Sequence, residues 1–419
     1  MCFRVAMISL HTSPLAPLGR TRDAGGMNVY VRELSRELGQ GSMYVDIFTR
    51  RSDPATPLVQ WLNERVRLIT LTAGPATVLP TSDLYQHVDE FARRLAHFAE
   101  RSEHGYDLIH SHYWLSAVAG MTLARQWDIP HVAMFHTVER LKTQQYGPII
   151  ASTTPLNTVR IEQEGRVAAT VDRVIVSTEH EGEQLRRLYG LSQDATQIIP
   201  CGVDPHTFSP GSLEQRLRAR AAINPTPDPL LLFVGRLDPI KGIDLLLESV
   251  ARMQTRVRLL VIGGDPSGDP EVVRLRSHAE ALGIGERVTF PGAVPQRQLP
   301  DYYRAADALV VTSCYESFGL AAVEALATGT PVVAAAVGGL TSLVHDGVNG
   351  LLVWNRTPDA FASRLDDLLT DSDLRMRLAG AARHSVERYS WRRIGHQVRA
   401  MYQDLTAEQR VSVAACSCF

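Results

Sequence analysis

No stretch of this chain stays apolar for the roughly 20 residues that a bilayer-crossing helix needs. The opening segment, Met1-Cys-Phe-Arg-Val-Ala-Met-Ile-Ser-Leu10, is apolar too briefly for a secretory leader. It has no small-residue cleavage site and runs into a Pro/Gly loop, so it reads as a first buried strand. Cysteine is scarce and scattered. Cys2, Cys201, Cys314, Cys416 and Cys418 form an odd set of five without zinc-finger or thioredoxin spacing. That argues against a disulfide framework and for a reducing, cytoplasmic setting. The end, Cys416-Ser-Cys-Phe419, fits a prenylation box only formally, because its middle residues are not aliphatic; a frayed tail is the simpler reading. Excess charge of either sign is also missing. Lys and Arg number 43 against 45 Asp and Glu, for a net charge of −2, which gives no electrostatic ground for a nucleic-acid partner. The expected helix near Tyr85–Glu100 carries mixed charge rather than a basic face, which argues against membrane contact. A homodimer is compatible with the sequence.

What is present is a long series of short apolar runs. With 419 residues, 45% of them hydrophobic, the chain is too long for one ordinary core. Two α/β domains of about 200 residues each fit the size. Runs such as Val5–Leu10, Tyr44–Thr49, Val66–Leu71 and His131–Phe135 in the first half are bounded by turn residues. So are Leu230–Val234, Arg258–Ile262, Ala308–Thr312, Pro331–Ala335 and Gly350–Val353 in the second half. Runs this short and continuous suit strands buried on both faces. Helical stripes lie between them: Met27, Tyr30, Val31, Leu34 and Leu38, or Val272, Leu275 and Ala279. The alternation predicts an α/β chain of two doubly wound, Rossmann-like parallel sheets. Prolines at 200, 205, 210, 225, 227 and 229 place a linker between the domains. The expected division is 1–205 for the first domain and 206–391 for the second. A last helix, from about 392 toward 419, completes the first.

Four motifs carry chemistry. In Asp23-Ala-Gly-Gly-Met-Asn-Val-Tyr30, Gly25 and Gly26 follow the first strand and open a helix. Paired glycines let backbone approach a ligand, and helix N–H groups attract an anion; the same turn could equally be free of ligand. The motif is not a Gly-x-Gly-x-x-Gly fingerprint, which disfavours a nicotinamide cofactor. In Phe233-Val-Gly-Arg-Leu-Asp-Pro-Ile-Lys-Gly242, Arg236 and Lys241 sit on the loop leaving a strand's carboxyl end, where doubly wound sheets bind ligands. An arginine fork and a lysine point charge suit a diphosphate; two solvated surface cations are the plainer reading. In Glu316-Ser-Phe-Gly-Leu-Ala-Ala-Val-Glu324, a helix starting near Ser317 would put Glu324 about two turns in, roughly 10 Å along the axis. Glu316 could then meet a sugar hydroxyl and Glu324 a ribose. The backbone N–H groups of Ser317, Phe318, Gly319 and Leu320 would lie beside the diphosphate. The alternative is a capped helix with an ordinary surface glutamate. Finally, His136 in Phe135-His-Thr-Val-Glu-Arg-Leu-Lys142 ends another buried strand, as a sugar contact or as a histidine satisfied within the core.

Together these residues resemble family 4 of the retaining glycosyltransferases. The resemblance rests on Arg236 and Lys241, the Glu316/Glu324 spacing, Gly25-Gly26, His136 and Val337-Gly-Gly339. It covers essentially the whole chain and implies the GT-B fold, with two domains facing across a cleft and the C-terminal helix crossing back to the first. Tyr389-Ser-Trp391 before that helix also suits the family. Within it, His11-Thr-Ser-Pro-Leu-Ala16, Ile47-Phe-Thr-Arg50 and His110-Ser-His-Tyr-Trp-Leu115 are similar to the D-inositol-3-phosphate glycosyltransferases. The resemblance implies a nucleotide diphosphate sugar as co-substrate, no tightly bound cofactor and no required metal; no Asp-x-Asp cluster of the kind that holds a metal on a diphosphate is seen. It implies Arg236, Lys241, Glu316 and His136 as catalytic residues. Gly25, Gly26, Val294, Ser317, Phe318, Gly319, Leu320 and Glu324 fall to the donor; Asn28, Tyr113, Thr137, Lys142 and Arg160 fall to the acceptor. One departure stands out. Where those enzymes place a lysine after an Ala-Gly-Pro turn, this chain aligns Thr81. Arg160-Ile-Glu162 also resembles a segment of sucrose and sucrose-phosphate synthases. A hexose phosphate, a glycan or lipid acceptor, an epimerase and a nucleotide-sugar-binding regulator stay open beside a polyol phosphate.

Overall fold

The computed structural model describes residues 3–19, 25–102, 104–146 and 155–416. Cys2, Asp23, Ala24 and Cys418 lie outside the described residues. The chain forms two compact units: Met1–Ala16, Gly26–Pro200 and Trp391–Phe419 make the first, and Pro17–Gly25 with Cys201–Ser390 make the second.

The first unit is built on strands β1 (Arg4–Ile8), β2 (Tyr44–Arg50), β3 (Val59–Asn63), β4 (Val66–Leu71), β5 (Leu108–His112), β6 (His131–Met134), β7 (Arg173–Val176) and β8 (Thr196–Ile198). They form one eight-stranded sheet in the order β3-β4-β2-β1-β5-β6-β7-β8. β1 is apolar on both faces, with Val5, Ala6, Met7 and Ile8 fully buried, as a central parallel strand covered by helices requires. Strands run out to one side of β1 and then to the other, so the sheet reverses between β1 and β5.

β3 is a departure from the expected all-parallel sheet. It pairs antiparallel with β4 at the edge. Its sequence, Val-Gln-Trp-Leu-Asn, is largely solvent-facing. An edge strand with one open side needs no apolar run, so it carries no such signal.

The second unit holds β9 (Leu230–Val234), β10 (Arg258–Ile262), β11 (Val288–Gly292), β12 (Ala308–Val311), β13 (Val332–Ala335) and β14 (Gly350–Val353). Their order is β11-β10-β9-β12-β13-β14, and every pair is parallel. This sheet reverses between β9 and β12. A core of Leu231, Phe233, Leu246, Val261, Leu275 and Leu365, among others, fills the space beneath it.

The last helix, Trp391–Cys416, returns to the first unit. Trp391, Ile394, Val398, Met401, Tyr402 and Leu405 are buried, at the three- and four-residue spacing of one helical face. It lies along the first helix, Gly26–Gln40. The approach is tight: a Cβ on Gly395 would sit 2.8 Å from that of Glu37. The helix runs on to Cys416.

Candidate active site

Two sets of polar side chains gather at the carboxyl ends of strands, one in each unit, and each lies at its sheet's reversal. Ligands bind at this position in open α/β sheets.

In the second unit the loop leaving β9 carries Arg236 and Lys241. Asp238 caps the single 3-10 turn Pro239–Lys241 by accepting from Ile240 N at 3.0 Å. The loop leaving β12 grips it from the side. Cys314 N donates to Ile240 O at 2.8 Å, and Thr312 Oγ1 donates to Lys241 O at 3.0 Å. Arg356, beyond β14, donates to Thr312 O at 2.9 Å. Held this way, Lys241 Nζ reaches Glu316 Oε2 at 2.7 Å, and Ser313 Oγ donates to the same oxygen at 3.3 Å. The two charged groups expected to serve a donor therefore pair with each other. Arg236 is half-exposed, with Asp238 at 3.9 Å. A Cβ on Gly25 would stand 3.6 Å from the Arg236 stem, so an uncluttered backbone faces this arginine.

The loop Glu316–Gly319 differs from the expected helix start. The helix is Leu320–Ala327, and Gly319 precedes it at φ 102°. Glu324 is thus one turn in, about 6 Å along the axis, rather than two. Gly319 itself breaks the helix there, and the glycine pair Gly338-Gly339 packs against the loop before it. A Cβ on Gly338 would lie 2.1 Å from Glu316 O, and one on Gly339 would lie 2.4 Å from Ser317 O. Backbone rests on backbone here, and Ser317 and Phe318 stay out of the helix. Glu324 is also not a surface glutamate. It is buried, accepting from Tyr303 OH at 2.8 Å and Gln296 Nε2 at 2.9 Å. Val294 stands half-buried just past β11, where Ala293 N donates to Gly264 O at 2.9 Å.

In the first unit, Tyr113 and His136 follow β5 and β6 at positive φ, 73° and 59°. Non-glycine residues held there carry strain of the kind that clusters at functional sites. The Tyr113 ring lies against His11, tilted by 38° with ring centroids 4.2 Å apart. His136 Nε2 meets His112 Nδ1 at 3.0 Å, so it is not a lone histidine. Burial pushes the His136 imidazole down to about 3, and it is uncharged at neutral pH.

Arg160 is the hub of this set. Nε donates to Glu164 at 2.7 Å; Nη1 donates to Tyr113 OH at 3.1 Å and faces Glu139 at 3.0 Å. Nη2 donates to Thr137 O at 2.7 Å and Thr137 Oγ1 at 3.0 Å. All three guanidinium nitrogens of Arg160 donate to protein partners, in four hydrogen bonds with the Glu139 ion pair beside them. Burial alone would lower its pKa, but Tyr113, Glu164 and Glu139 together hold it above the ordinary value. Arg160 therefore fixes Tyr113 and Thr137 instead of presenting a donor of its own. Lys142 lies 3.8 Å from Glu139. Asn28 is buried, its amide donating to Thr12 Oγ1 at 2.9 Å and Ser13 O at 2.7 Å. Thr81 begins a four-residue helix, Thr81–Leu84. The turn before it is held by Arg50, which donates to Pro75 O at 2.7 Å and Thr77 O at 2.5 Å.

Comparison with known proteins gives this geometry a family. Residues 24–207 match the profile "Glycosyltransferase Family 4", and residues 215–385 match "Glycosyl transferases group 1". A D-inositol 3-phosphate glycosyltransferase of Xylanimonas cellulosilytica is 44% identical over 395 residues, covering 93% of each chain. The chain belongs to glycosyltransferase family 4. Among solved structures, the sucrose-phosphate synthase of Thermosynechococcus elongatus superposes with a TM-score of 0.88 at 34% identity. It covers 97% of this chain and 100% of that one. The Anabaena protein HepE, in complex with UDP-glucose, superposes at 0.73 with 21% identity over 96% and 100%. The fold is GT-B, and the protein is a hexosyltransferase. Among the described residues of this glycosyltransferase no helix is long and apolar enough to cross a membrane. Its one Asp-x-Asp string, Asp371-Ser-Asp373, is a helix cap in which Asp371 accepts from Leu374 N at 2.8 Å.

Several residues of the glycosyltransferase's site carry no sequence signal that singles them out. Tyr303 and Gln296 reach Glu324 from 21 and 28 residues away in sequence. Arg356 follows a strand with no motif around it. His112 lies within a stretch shared with relatives, but only the fold brings it to His136.

Proposed function

We propose that this glycosyltransferase moves a hexosyl or N-acetylhexosaminyl group, with retention, from a UDP-linked sugar to a small polyol phosphate of the D-inositol 3-phosphate kind. The observation that carries the reading is the Lys241–Glu316 pair at the reversal of the second sheet, 2.7 Å apart and beside Arg236. A diphosphate arriving there competes for Lys241. Glu316 is released as phosphate takes its place, and its carboxylate becomes available to sugar hydroxyls. Arg236 and the Ser317–Leu320 backbone complete the anion site, with Gly25 and Gly26 leaving room for it. Glu324 receives the ribose and Val294 backbone the base. His136 meets a hydroxyl of the transferred sugar. Asn28, Tyr113, Thr137, Lys142 and Arg160 shape the acceptor side.

In this reading the bond from the anomeric carbon to the diphosphate oxygen breaks on the face from which the acceptor oxygen attacks. The departing oxygen takes the acceptor's proton. Negative charge grows on the leaving group, so preorganised cations are the largest catalytic contribution. Arg236 and Lys241 supply that charge, and transfer proceeds without a metal or a tightly bound cofactor.

A second reading has specific support. Thr81 stands where the inositol-phosphate enzymes align a lysine, and the likeness to a sucrose-phosphate synthase is close. A hexose phosphate acceptor fits both facts. Mass spectrometry of products decides between them. The protein would be incubated in a chelator with UDP-GlcNAc, UDP-glucose or GDP-mannose, each against inositol 3-phosphate or fructose 6-phosphate. An inositol product is expected under the first reading and a fructose product under the second. Donor hydrolysis alone, or no turnover, would sink both.

A further inference from the structure

We infer that His112 is a positioning residue that fixes the tautomer of His136, making it a hydrogen-bond donor through Nδ1–H toward the sugar. The inference rests on the reading of His136 as a sugar contact. Both histidines stand at carboxyl ends of neighbouring strands, β5 and β6, which pair in parallel with His112 opposite Met134. That register puts His136 two residues past the end of the pairing. The turn at positive φ then brings its ring back over His112, with centroids 5.2 Å apart.

The contact of His112 Nδ1 with His136 Nε2, 3.0 Å, needs one proton. If His136 gave it, His112 would accept at Nδ1 and carry its own hydrogen on Nε2. That nitrogen is buried and has no hydrogen-bond partner among the described residues. A buried orphan N–H is rare and costs about 1–3 kcal/mol. Nothing nearby relieves it, because the His110 ring lies only 4.2 Å away and its Nε2 is also without a partner. If His112 gives the proton from Nδ1, its Nε2 is a bare ring nitrogen, the milder omission. His136 then accepts at Nε2 and must hold its hydrogen on Nδ1, because the bond made by one imidazole nitrogen decides the state of the other. Tyr30 closes the far side, edge-on to both rings at 5.6 and 5.4 Å, and keeps His136 from turning over.

The consequence is directional. A Nδ1–H donor approaches a sugar hydroxyl as a fixed dipole and cannot act as a base there. The test reads the proton directly. In the full-length protein labelled with 15N-histidine, two-bond correlation spectra distinguish Nδ1–H from Nε2–H rings. We expect His136 in the Nδ1–H form in the wild-type protein. It should return to the Nε2–H form in His112→Ala and keep Nδ1–H in His112→Asn, whose amide can still donate. Turnover should fall roughly ten- to a hundredfold in His112→Ala, the scale of lost orienting contacts, with donor KM little changed, and recover in His112→Asn. An Nε2–H signal for His136 in the wild-type protein would overturn the inference, as would a tautomer that ignores residue 112. Nδ1–H under the control of His112, but full activity in His136→Ala, would keep the tautomer and remove the sugar contact instead.

Discussion

Lys241 and Glu316 illustrate how a single pair of residues can be plain in sequence while their state is not. Both stand in strand-to-helix loops where charge points to a ligand. The distance between them, 2.7 Å with both side chains mostly buried, is the part only the fold supplies. A cation paired with a carboxylate is poised in the proposed reading, because an arriving diphosphate can exchange for Glu316. Lys241→Ala should therefore lower turnover by about 10²–10³, more than it weakens donor binding, since the lost charge acts mainly as the diphosphate departs. Steady-state kinetics against varied donor check this, and wild-type turnover would exclude Lys241 from the chemistry. Arg160 makes the opposite point. Its sequence context suggests an anion contact, yet all three of its guanidinium nitrogens donate to protein. Arg160→Lys keeps the charge but cannot span Glu164 and Thr137 together. It should raise acceptor KM roughly tenfold and leave donor KM unchanged, the scale of a lost orienting partner; unchanged acceptor kinetics would mean that Tyr113 and Thr137 hold their places unaided.

At the scale of elements, strands buried on both faces were legible because their sequences are continuous apolar runs. β9 and β10 begin and end where the residues suggest. β3 was not legible, because an antiparallel edge strand whose apolar residues Val59, Trp61 and Leu62 are broken by Gln60 and stay at least partly solvent-exposed has no such continuous run. The start of the helix Leu320–Ala327 was hidden for a different reason. Gly319, at φ 102°, breaks the helix locally, and Gly338-Gly339, some 20 residues on, packs backbone against Glu316 and Ser317, a contact no local pattern shows. This contact gives a sharp expectation. Gly338 sits at φ 48° with no room for a Cβ. Gly338→Ala adds about 1–2 kcal/mol of left-handed backbone strain and a collision with a carbonyl that cannot rotate away. The Glu316 loop must shift, so the variant should lose donor affinity at least as much as stability. Isothermal titration with UDP beside a thermal melt separates the two. Full donor affinity in the variant would mean that the loop geometry is not needed for binding.

At the scale of the whole molecule, two Rossmann-like units and a returning C-terminal helix follow from the alternation of apolar runs and from the family resemblance. The bond from Gly264 N to Gly19 O, 3.0 Å, which ties this loop residue to the second unit, has no counterpart in sequence pattern, since a loop can join either body. The histidines were visible only as residues. Their joint environment appears once β5 and β6 are side by side. His110, His112, His131 and His136 all lie within the first unit, and burial holds each well below its ordinary range, His131 and His136 at about 3. Two carboxyls oppose them: burial raises Glu181 to about 7, partly offset by the Ser177 backbone N–H, and burial with the neighbouring Glu33 also raises Glu37. Unfolded histidine takes up a proton below about pH 6.5, which these native rings refuse, so the unfolded state binds more protons and stability falls as pH falls. Both carboxyls act the other way, each binding its proton in the native state before the unfolded one does. Between about pH 6.5 and 4.5 the four rings outweigh the two carboxyls, and each uncancelled proton is worth about 1.4 kcal/mol per pH unit. Against a total stability of about 5–15 kcal/mol, the first unit should be fully stable above about pH 6.5 and begin to unfold near pH 5. Urea melts of the full-length protein at pH 7.5, 6.5 and 5.5 check this. The first two midpoints should nearly coincide and the third should drop. A midpoint that stays level to pH 5.5 would show that these rings carry protons in the folded protein, and His136 would then enter catalysis as a cation instead of a neutral donor.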